Sequence, residues 1–123
     1  IDKLKSLGNN KFSFIIIDEL FSGTNPTEAI ASSFSVANQL GNYNNSISII
    51  TTHFDYLTNL KKFKNYKMKI EKDTDNNEFI FTYKLKSGIS KDYVAIDLLE
   101  KNKFGSEIIE NAKNIKKILN DNY

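Results

Sequence analysis

The sequence of 123 residues contains no cysteine, no tryptophan and no arginine, and it has a single proline. The absence of cysteine excludes disulfides, cysteine-ligated metals and a cysteine nucleophile. Because all 17 basic residues are lysines, the segment cannot supply an arginine finger. No apolar run approaches the roughly 18 residues that a membrane span needs, and no signal peptide opens the chain. We therefore expect an intracellular protein, in the cytoplasm or nucleus, that is neither secreted nor bound to a membrane.

The composition is typical of one ordinary globular domain. Hydrophobic residues make up 40% of the chain and charged residues 26%, which excludes a disordered segment. The first 60 residues carry three lysines and five acidic residues, whereas the remaining 63 carry 14 lysines and ten acidic residues. The basic second half is compatible with an anionic partner, but its dispersed lysines favour a solvated surface over a nucleic-acid interface.

The first half of the chain predicts a strand, a helix and a second strand. Residues 12–17 are almost continuously apolar, which is typical of a strand buried on both faces. Asn25 is a good helix cap and Pro26 suits the first helical position. Residues 46–52 predict a second buried strand that ends before His53. The apolar face of the helix is predicted at Ile30, Phe34, Ala37 and Leu40. This order indicates a βαβ unit with a parallel sheet.

The second half predicts a β-hairpin followed by helices. Apolar and charged residues alternate over 66–71 and again over 79–85, with a turn-rich break at 73–77. Asp55 is expected to cap a short helix that runs through Leu60. Ser90 is expected to cap a helix that holds Tyr93, Ile96 and Leu99. After a break at Phe104-Gly105, Ser106 is expected to cap a final helix with Ile108, Ala112, Ile115 and Leu119 on one face.

Two carboxylates and a histidine follow the predicted strands. Asp18 and Glu19 come at the end of the first strand and His53 at the end of the second, so they should meet at one edge of the sheet. A carboxylate there suits a phosphate-bound Mg²⁺, a second carboxylate can activate water, and a histidine can bind a terminal phosphate. Taken singly, an Asp-Glu pair is more often a plain strand exit and a lone histidine more often structural.

Two stretches resemble a known family. FIIIDELFSGTNPTEA (14–29) and SIITTHFDYLTNL (48–60) are similar to the ABC-type ATPase domain of the MutS proteins, which act in DNA mismatch repair and related DNA transactions. The similarity continues through FTYKLKSGISKDYVAIDLL (81–99) and FGSEIIENAKNI (104–115). Asn25-Pro26 and Glu28 are closer to divergent branches associated with recombination control, whereas Lys91-Asp92-Tyr93 is closer to the mismatch-repair branch, so the subgroup stays open.

The resemblance implies a role for each residue of the predicted site. Asp18 corresponds to the acid that holds Mg²⁺ at the end of the Walker B strand, and Glu19 to the general base for ATP hydrolysis. His53 corresponds to the switch histidine near the γ-phosphate, and Thr52 beside it to a nucleotide-binding position. The loop that faces a partner subunit corresponds to Ser22, Gly23, Thr24 and Asn25. The implied cofactors are ATP and Mg²⁺. The implied partners are a second ATPase subunit, in a homodimer or heterodimer, and double-stranded DNA bound by domains outside this chain.

The phosphate-binding loop of such an ATPase is missing from the sequence. Its five glycines are scattered, and no Gly-x-x-x-x-Gly-Lys-Ser/Thr occurs. We therefore expect this α/β chain to be the C-terminal half of a P-loop NTPase domain, with the Walker A segment upstream of Ile1. Residues 1–60 would carry the Walker B part and residues 61–123 the hairpin and closing helices. On its own, the chain is expected neither to bind ATP tightly nor to hydrolyse it.

Two other interpretations remain open on the sequence. One is another ABC-type ATPase, of the chromosome-maintenance or transporter kind, which would share the acidic pair and the histidine. The other is a non-catalytic dimerisation or regulatory fragment that kept the fold without a phosphate-binding loop. The sequence upstream of Ile1 distinguishes them, because a regulatory fragment would lack the lysine-bearing loop there.

Overall fold

A computed structural model describes residues 1–2, 6, 11–73, 78–91 and 94–121. The chain divides into two compact units. One comprises Ile1–Lys69 with Tyr83–Ile89, and the other comprises Ile70–Thr82 with Ser90–Tyr123. None of the helices in the described ranges has both the length and the apolar character to span a membrane.

The predicted βαβ unit is confirmed in the first of these units. It consists of strand β1 (Ser13–Asp18), helix α1 (Pro26–Leu40) and strand β2 (Ser46–Thr51). The two strands pair in parallel and in register, so that Asp18 lies opposite Thr51. Because both strands run the same way, their last residues share the carboxyl edge of the sheet, where ligands bind in open α/β folds.

Helix α1 begins where the sequence predicts. The side-chain oxygen of Asn25 accepts hydrogen bonds from the backbone N–H groups of Thr27, at 3.0 Å, and Glu28, at 3.5 Å. Pro26 follows at the first helical position, where its missing N–H costs nothing. An asparagine cap of this kind stabilises a helix by about 1 kcal/mol. The cap fixes the point at which the chain leaves the loop after β1.

The buried face of α1 agrees with the predicted one at Ala37 and Leu40 and differs from it in the first half of the helix. The sequence predicts Ile30 and Phe34 on the inner face, yet both are only partly buried. The buried residues of the helix are Ala29, Ser33, Ala37 and Leu40. Small side chains allow the helix to approach its neighbours closely. Hydrophobic periodicity counts only apolar residues, so it cannot predict that a serine is buried. Ser33 was therefore missing from the predicted core.

The hydrophobic core of this unit forms around α1 and a short 3-10 helix (Asp55–Asn59). Ala37, Leu57 and Leu60 are buried together. Partly buried hydrophobic side chains pack against them: Phe34, Ile50, Phe54 and Phe63. The predicted short helix is confirmed and places Leu57 into this core, but Asp55 is its first residue and not its cap. Burial of a leucine side chain contributes on the order of 2 kcal/mol.

The expectation that β1 is buried on both faces is wrong for this chain. Side chains alternate along both strands, and Ile50 on one face packs against the core under α1. Four large apolar side chains on the other face are 50–67% exposed: Phe14, Ile16, Ile47 and Ile49. The difference arises because α1 covers one face only, whereas a continuous apolar run is typical of strands covered on both.

A second two-stranded sheet is formed by β3 (Tyr66–Asp73) and β4 (Glu78–Ser87), as predicted. A connection this short joins antiparallel strands, since a parallel pair needs a crossover of a dozen or more residues. Asp73 ends β3, and the rest of the predicted turn, residues 74–77, lies outside the described residues.

Two helices close the chain, α2 (Ala95–Lys101) and α3 (Ser106–Asp121). The predicted break before Ser106 is confirmed. The predicted cap at Ser90 is wrong, because α2 begins at Ala95 after Val94, whose side chain makes no capping hydrogen bond. The first helical turn therefore forms without the side-chain cap that the sequence suggested, and Tyr93 lies outside the described residues.

An ion pair connects the two closing helices. Lys113 of α3 donates a hydrogen bond to the Glu100 carboxylate of α2. This hydrogen bond and the attraction of the Glu100 charge raise the pKa of Lys113 above its ordinary value. Because both side chains are largely exposed, solvent screens the pair and its contribution to stability is small.

Candidate functional site at the strand ends

The carboxyl ends of β1 and β2 are joined by a side-chain hydrogen bond. The hydroxyl of Thr51 donates to Oδ1 of Asp18, the residue opposite it in the parallel pair. Asp18 is exposed, so its carboxylate faces solvent at the edge of the sheet. The sequence predicts Asp18 at this edge, but the contribution of Thr51 depends on the register of the strands, which the sequence does not fix.

Glu19 is the first residue after β1, and β2 holds its backbone. The N–H of Glu19 lies 3.2 Å from the carbonyl oxygen of Thr51 and 3.2 Å from its hydroxyl oxygen. The backbone φ of Glu19 is 47°, in the left-handed region. A residue other than glycine pays roughly 1–2 kcal/mol for this conformation. It persists only where surrounding contacts fix the backbone, so Glu19 occupies a defined position.

The Glu19 carboxylate pairs with His53. Oε1 of Glu19 contacts Nε2 of His53, which joins the residues that follow the two strands. The His53 side chain is 82% exposed and the Glu19 side chain 40% exposed. A pair so open to solvent is worth at most about 1 kcal/mol. Either partner can therefore leave the other for a competing ligand at little cost.

A tight turn follows Glu19. The N–H of Ser22 donates to the carbonyl oxygen of Glu19 at 3.1 Å, which closes a four-residue turn. Phe21, the third residue of this turn, has a φ of 63°. Positive φ at the third position is the signature of a type II turn, which usually carries glycine or asparagine there. The turn next to the acidic pair is therefore strained.

Ser33 of α1 also contacts this turn, and sequence reasoning missed it. Its hydroxyl donates to the carbonyl oxygen of Leu20 at 2.7 Å. Ser33 is fully buried, between Ala29 and Ala37 on the inner face of the helix. The available signal was a serine at four-residue spacing between two alanines, which places it on the face that approaches the loop.

Thr52, predicted to bind nucleotide, makes a local hydrogen bond in the turn after β2. Its hydroxyl oxygen accepts a hydrogen bond from the N–H of Phe54 at 3.0 Å. This contact spans His53 and orders the turn that carries the histidine. Thr52 is exposed, and it is Thr51 that bonds Asp18.

The residues predicted to face a partner subunit lie on the surface. Ser22, Gly23, Thr24 and Asn25 are all exposed, between the site and the start of α1. The side-chain oxygen of Asn25 is occupied as the helix cap. The loop is thus anchored at its α1 end and open to solvent along its length.

The oxygen donors of the site fit a Mg²⁺ ion carried by phosphate better than a resident metal. Over the described residues, no group of three or more His, Cys, Asp or Glu is arranged to hold a metal. Mg²⁺ usually keeps several waters and binds one or two carboxylates together with substrate phosphates. Asp18 presents one such carboxylate at a solvent-open strand end, beside a threonine hydroxyl.

The described residues thus form an α/β structure in which an acidic pair and a histidine lie together at the carboxyl ends of two parallel strands. The family model described as MutS domain V matches residues 4–120. The chain therefore belongs to the MutS family.

Relatives from several branches of life are similar over most of the chain. It is 31% identical over 113 residues to the DNA mismatch repair protein MutS of Aquifex pyrophilus, which covers 89% of this chain and 13% of that protein. It is 33% identical over 107 residues to the DNA mismatch repair protein Msh2 of Dictyostelium discoideum, covering 84% of this chain and 11% of that protein. It is 34% identical over 109 residues to endonuclease MutS2 of Clostridium tetani, covering 83% of this chain and 13% of that protein. The chain thus spans only 11–13% of the length of these relatives.

Proposed function

We propose that this chain is the C-terminal part of an ABC-type P-loop ATPase domain in a MutS-family protein that couples ATP hydrolysis to DNA mismatch repair or a related DNA transaction. The observation that carries the proposal is the meeting of Asp18, Glu19 and His53 at the ends of two adjacent parallel strands. Residues 1–60 supply this edge, and residues 61–123 supply the hairpin and closing helices. The phosphate-binding loop belongs to another part of the protein.

The chemistry assigns a separate task to each side chain. Asp18 would hold a Mg²⁺ ion, which neutralises phosphate charge when bound. Glu19 would accept a proton from the attacking water through a carboxylate oxygen. His53 would donate a hydrogen bond to the terminal phosphate. For this, Glu19 and His53 must exchange their mutual contact for water and phosphate, and the solvent-open pair makes that exchange cheap.

Partners outside the chain complete the proposal. The exposed loop of Ser22, Gly23, Thr24 and Asn25 would face a second ATPase subunit, in a homodimer or heterodimer. Double-stranded DNA would be bound by domains elsewhere in the protein. The relatives support this in their names, which include DNA mismatch repair proteins and an endonuclease. The uncovered apolar face of β1 and β2 supports a larger domain, since strands of parallel sheets are normally covered on both faces.

Glu19→Gln in the full-length protein tests the proposal. The amide cannot accept a proton but keeps the shape of the side chain, so ATP binding should persist while turnover falls at least about a hundredfold. Steady-state hydrolysis and nucleotide affinity are measured side by side. Glu107→Gln, the same change at an exposed position in the first turn of α3, is the control and should leave both unchanged. Unaltered hydrolysis in Glu19→Gln would refute the assignment of the base.

A further inference from the structure

We propose that Ser33 is a positioning residue for the Glu19 carboxylate. Its hydrogen bond holds the strained turn that follows Glu19 in the type II form and prevents it from relaxing to type I. The proposal rests on the proposed role of Glu19 as the general base. It assigns a function to a fully buried residue of α1.

The Ser33 hydrogen bond reaches the middle of the turn. Ser33 is 0% exposed, and its hydroxyl reaches out of α1 to the carbonyl oxygen of Leu20 at 2.7 Å. That carbonyl belongs to the peptide group between Leu20 and Phe21, which is the central peptide of the turn. A partly buried hydrogen bond of this kind contributes about 1 kcal/mol.

This hydrogen bond favours the type II conformation of the turn. Turns of type I and type II differ mainly by a flip of the central peptide, and type II requires positive φ at the third residue. Phe21 has a φ of 63°, which a phenylalanine adopts only at a cost. By binding the flipped carbonyl, Ser33 offsets that cost. Without Ser33, the turn should relax toward type I, which phenylalanine prefers.

The turn is part of the same backbone as the candidate site. The turn begins at Glu19, whose carbonyl oxygen accepts the closing hydrogen bond from Ser22. Glu19 itself has a φ of 47°, so its backbone is held against an intrinsic preference. The contacts from Thr51 hold Glu19 from the side of β2, so the turn constrains it from the other side. We expect a change of turn type to shift the Glu19 backbone from that side and re-aim the carboxylate. Displacement of a catalytic group by about 1 Å can lower a rate by roughly a hundredfold.

The test compares four variants of the full-length protein by kcat for ATP hydrolysis and by equilibrium affinity for ATP. Ser33→Ala removes the hydroxyl. Ser35→Ala is the matched control, because Ser35 lies on the same helix and donates to the Ala31 carbonyl oxygen at 2.8 Å, away from the turn. Phe21→Gly is combined with Ser33→Ala, because glycine adopts positive φ freely and should keep the type II turn without help. Glu19→Gln reports separately on the proposed function.

We expect Ser33→Ala to lower kcat at least about tenfold while the affinity for ATP changes less than about twofold. Ser35→Ala should match the wild type, and Phe21→Gly should restore most of the kcat lost in Ser33→Ala. A Ser33→Ala protein with wild-type kcat would overturn the proposal. So would a loss of both kcat and affinity that Phe21→Gly does not restore, since that would mark Ser33 as merely structural. If Glu19→Gln retains turnover, the proposed function fails instead.

Discussion

Phe21 shows how one residue bears the strain beside the candidate site. It has a φ of 63° and lies two residues after Glu19, whose φ of 47° is also in the left-handed region. Two such residues so close together are uncommon outside turns and functional sites. The contacts that hold them come from β2 and α1, through Thr51 and Ser33.

At most positions an alanine variant is more stable than the glycine variant. At Phe21 we expect the reverse. Both Phe21→Gly and Phe21→Ala remove the ring, but only glycine adopts the observed φ without cost. We expect the glycine variant to be more stable than the alanine variant by about 1 kcal/mol. The free energy of local opening, measured by hydrogen exchange at the β1 amides of the full-length protein, reports this difference.

An exposed helical position provides the control for this comparison. Ala31 is exposed in the interior of α1, where glycine should be less stable than alanine by roughly 0.5–1 kcal/mol. If Phe21→Gly were also the less stable member of its pair, the left-handed backbone at residue 21 would be contradicted.

The sequence predicts part of the site and misses the rest for identifiable reasons. Asp18, Glu19 and His53 stand at strand ends, and strand ends follow from apolar patterns and turn residues. The hydrogen bond from Thr51 to Asp18 could not be predicted, because only the register shows that these two residues lie opposite each other. Ser33 was missed because hydrophobic periodicity ranks a serine as polar even where small size is what the packing requires.

At the scale of elements, α1 and the 3-10 helix depend on a small shared core. Leu57 is 5% exposed and lies against Ala37 and Leu60. We expect Leu57→Ala to lower the free energy of local unfolding of this unit by about 2–5 kcal/mol, because it removes buried methyl groups and leaves a cavity. Hydrogen exchange at amides of α1 measures the change.

Leu85→Ala is the matched control for this core. Leu85 lies in β4 and is 67% exposed, so the same substitution should change stability by no more than about 0.5 kcal/mol. Equal effects at the two leucines would contradict the core described around Leu57.

The boundaries of elements were predicted well where local chemistry fixes them and poorly where packing does. Asn25 and Pro26 define the start of α1 through hydrogen bonds and a fixed φ, and both are legible in the sequence. Ser90 has the same capping chemistry, yet α2 begins at Ala95 without a side-chain cap. A cap residue permits a helix start but does not impose one, since most helical stability comes from packing.

At the scale of the whole molecule, the chain corresponds to a small part of each relative. It spans 11–13% of the relatives compared above, and one face of its parallel sheet is apolar and exposed. The apolar runs of β1 and β2 predict strands, and the strands are confirmed, but the expected burial of β1 on both faces is wrong. Which face this chain covers by itself could not be read from those runs, because they look alike on both sides.

The most direct measurement of the central claim is a crystal structure of the full-length protein with Mg²⁺ and a non-hydrolysable ATP analogue. The proposal predicts the metal beside the Asp18 carboxylate and the terminal phosphate beside His53. Glu19 should have left His53 and face the position of the attacking water. Nucleotide bound away from the ends of β1 and β2, with the pair of Glu19 and His53 intact, would contradict it.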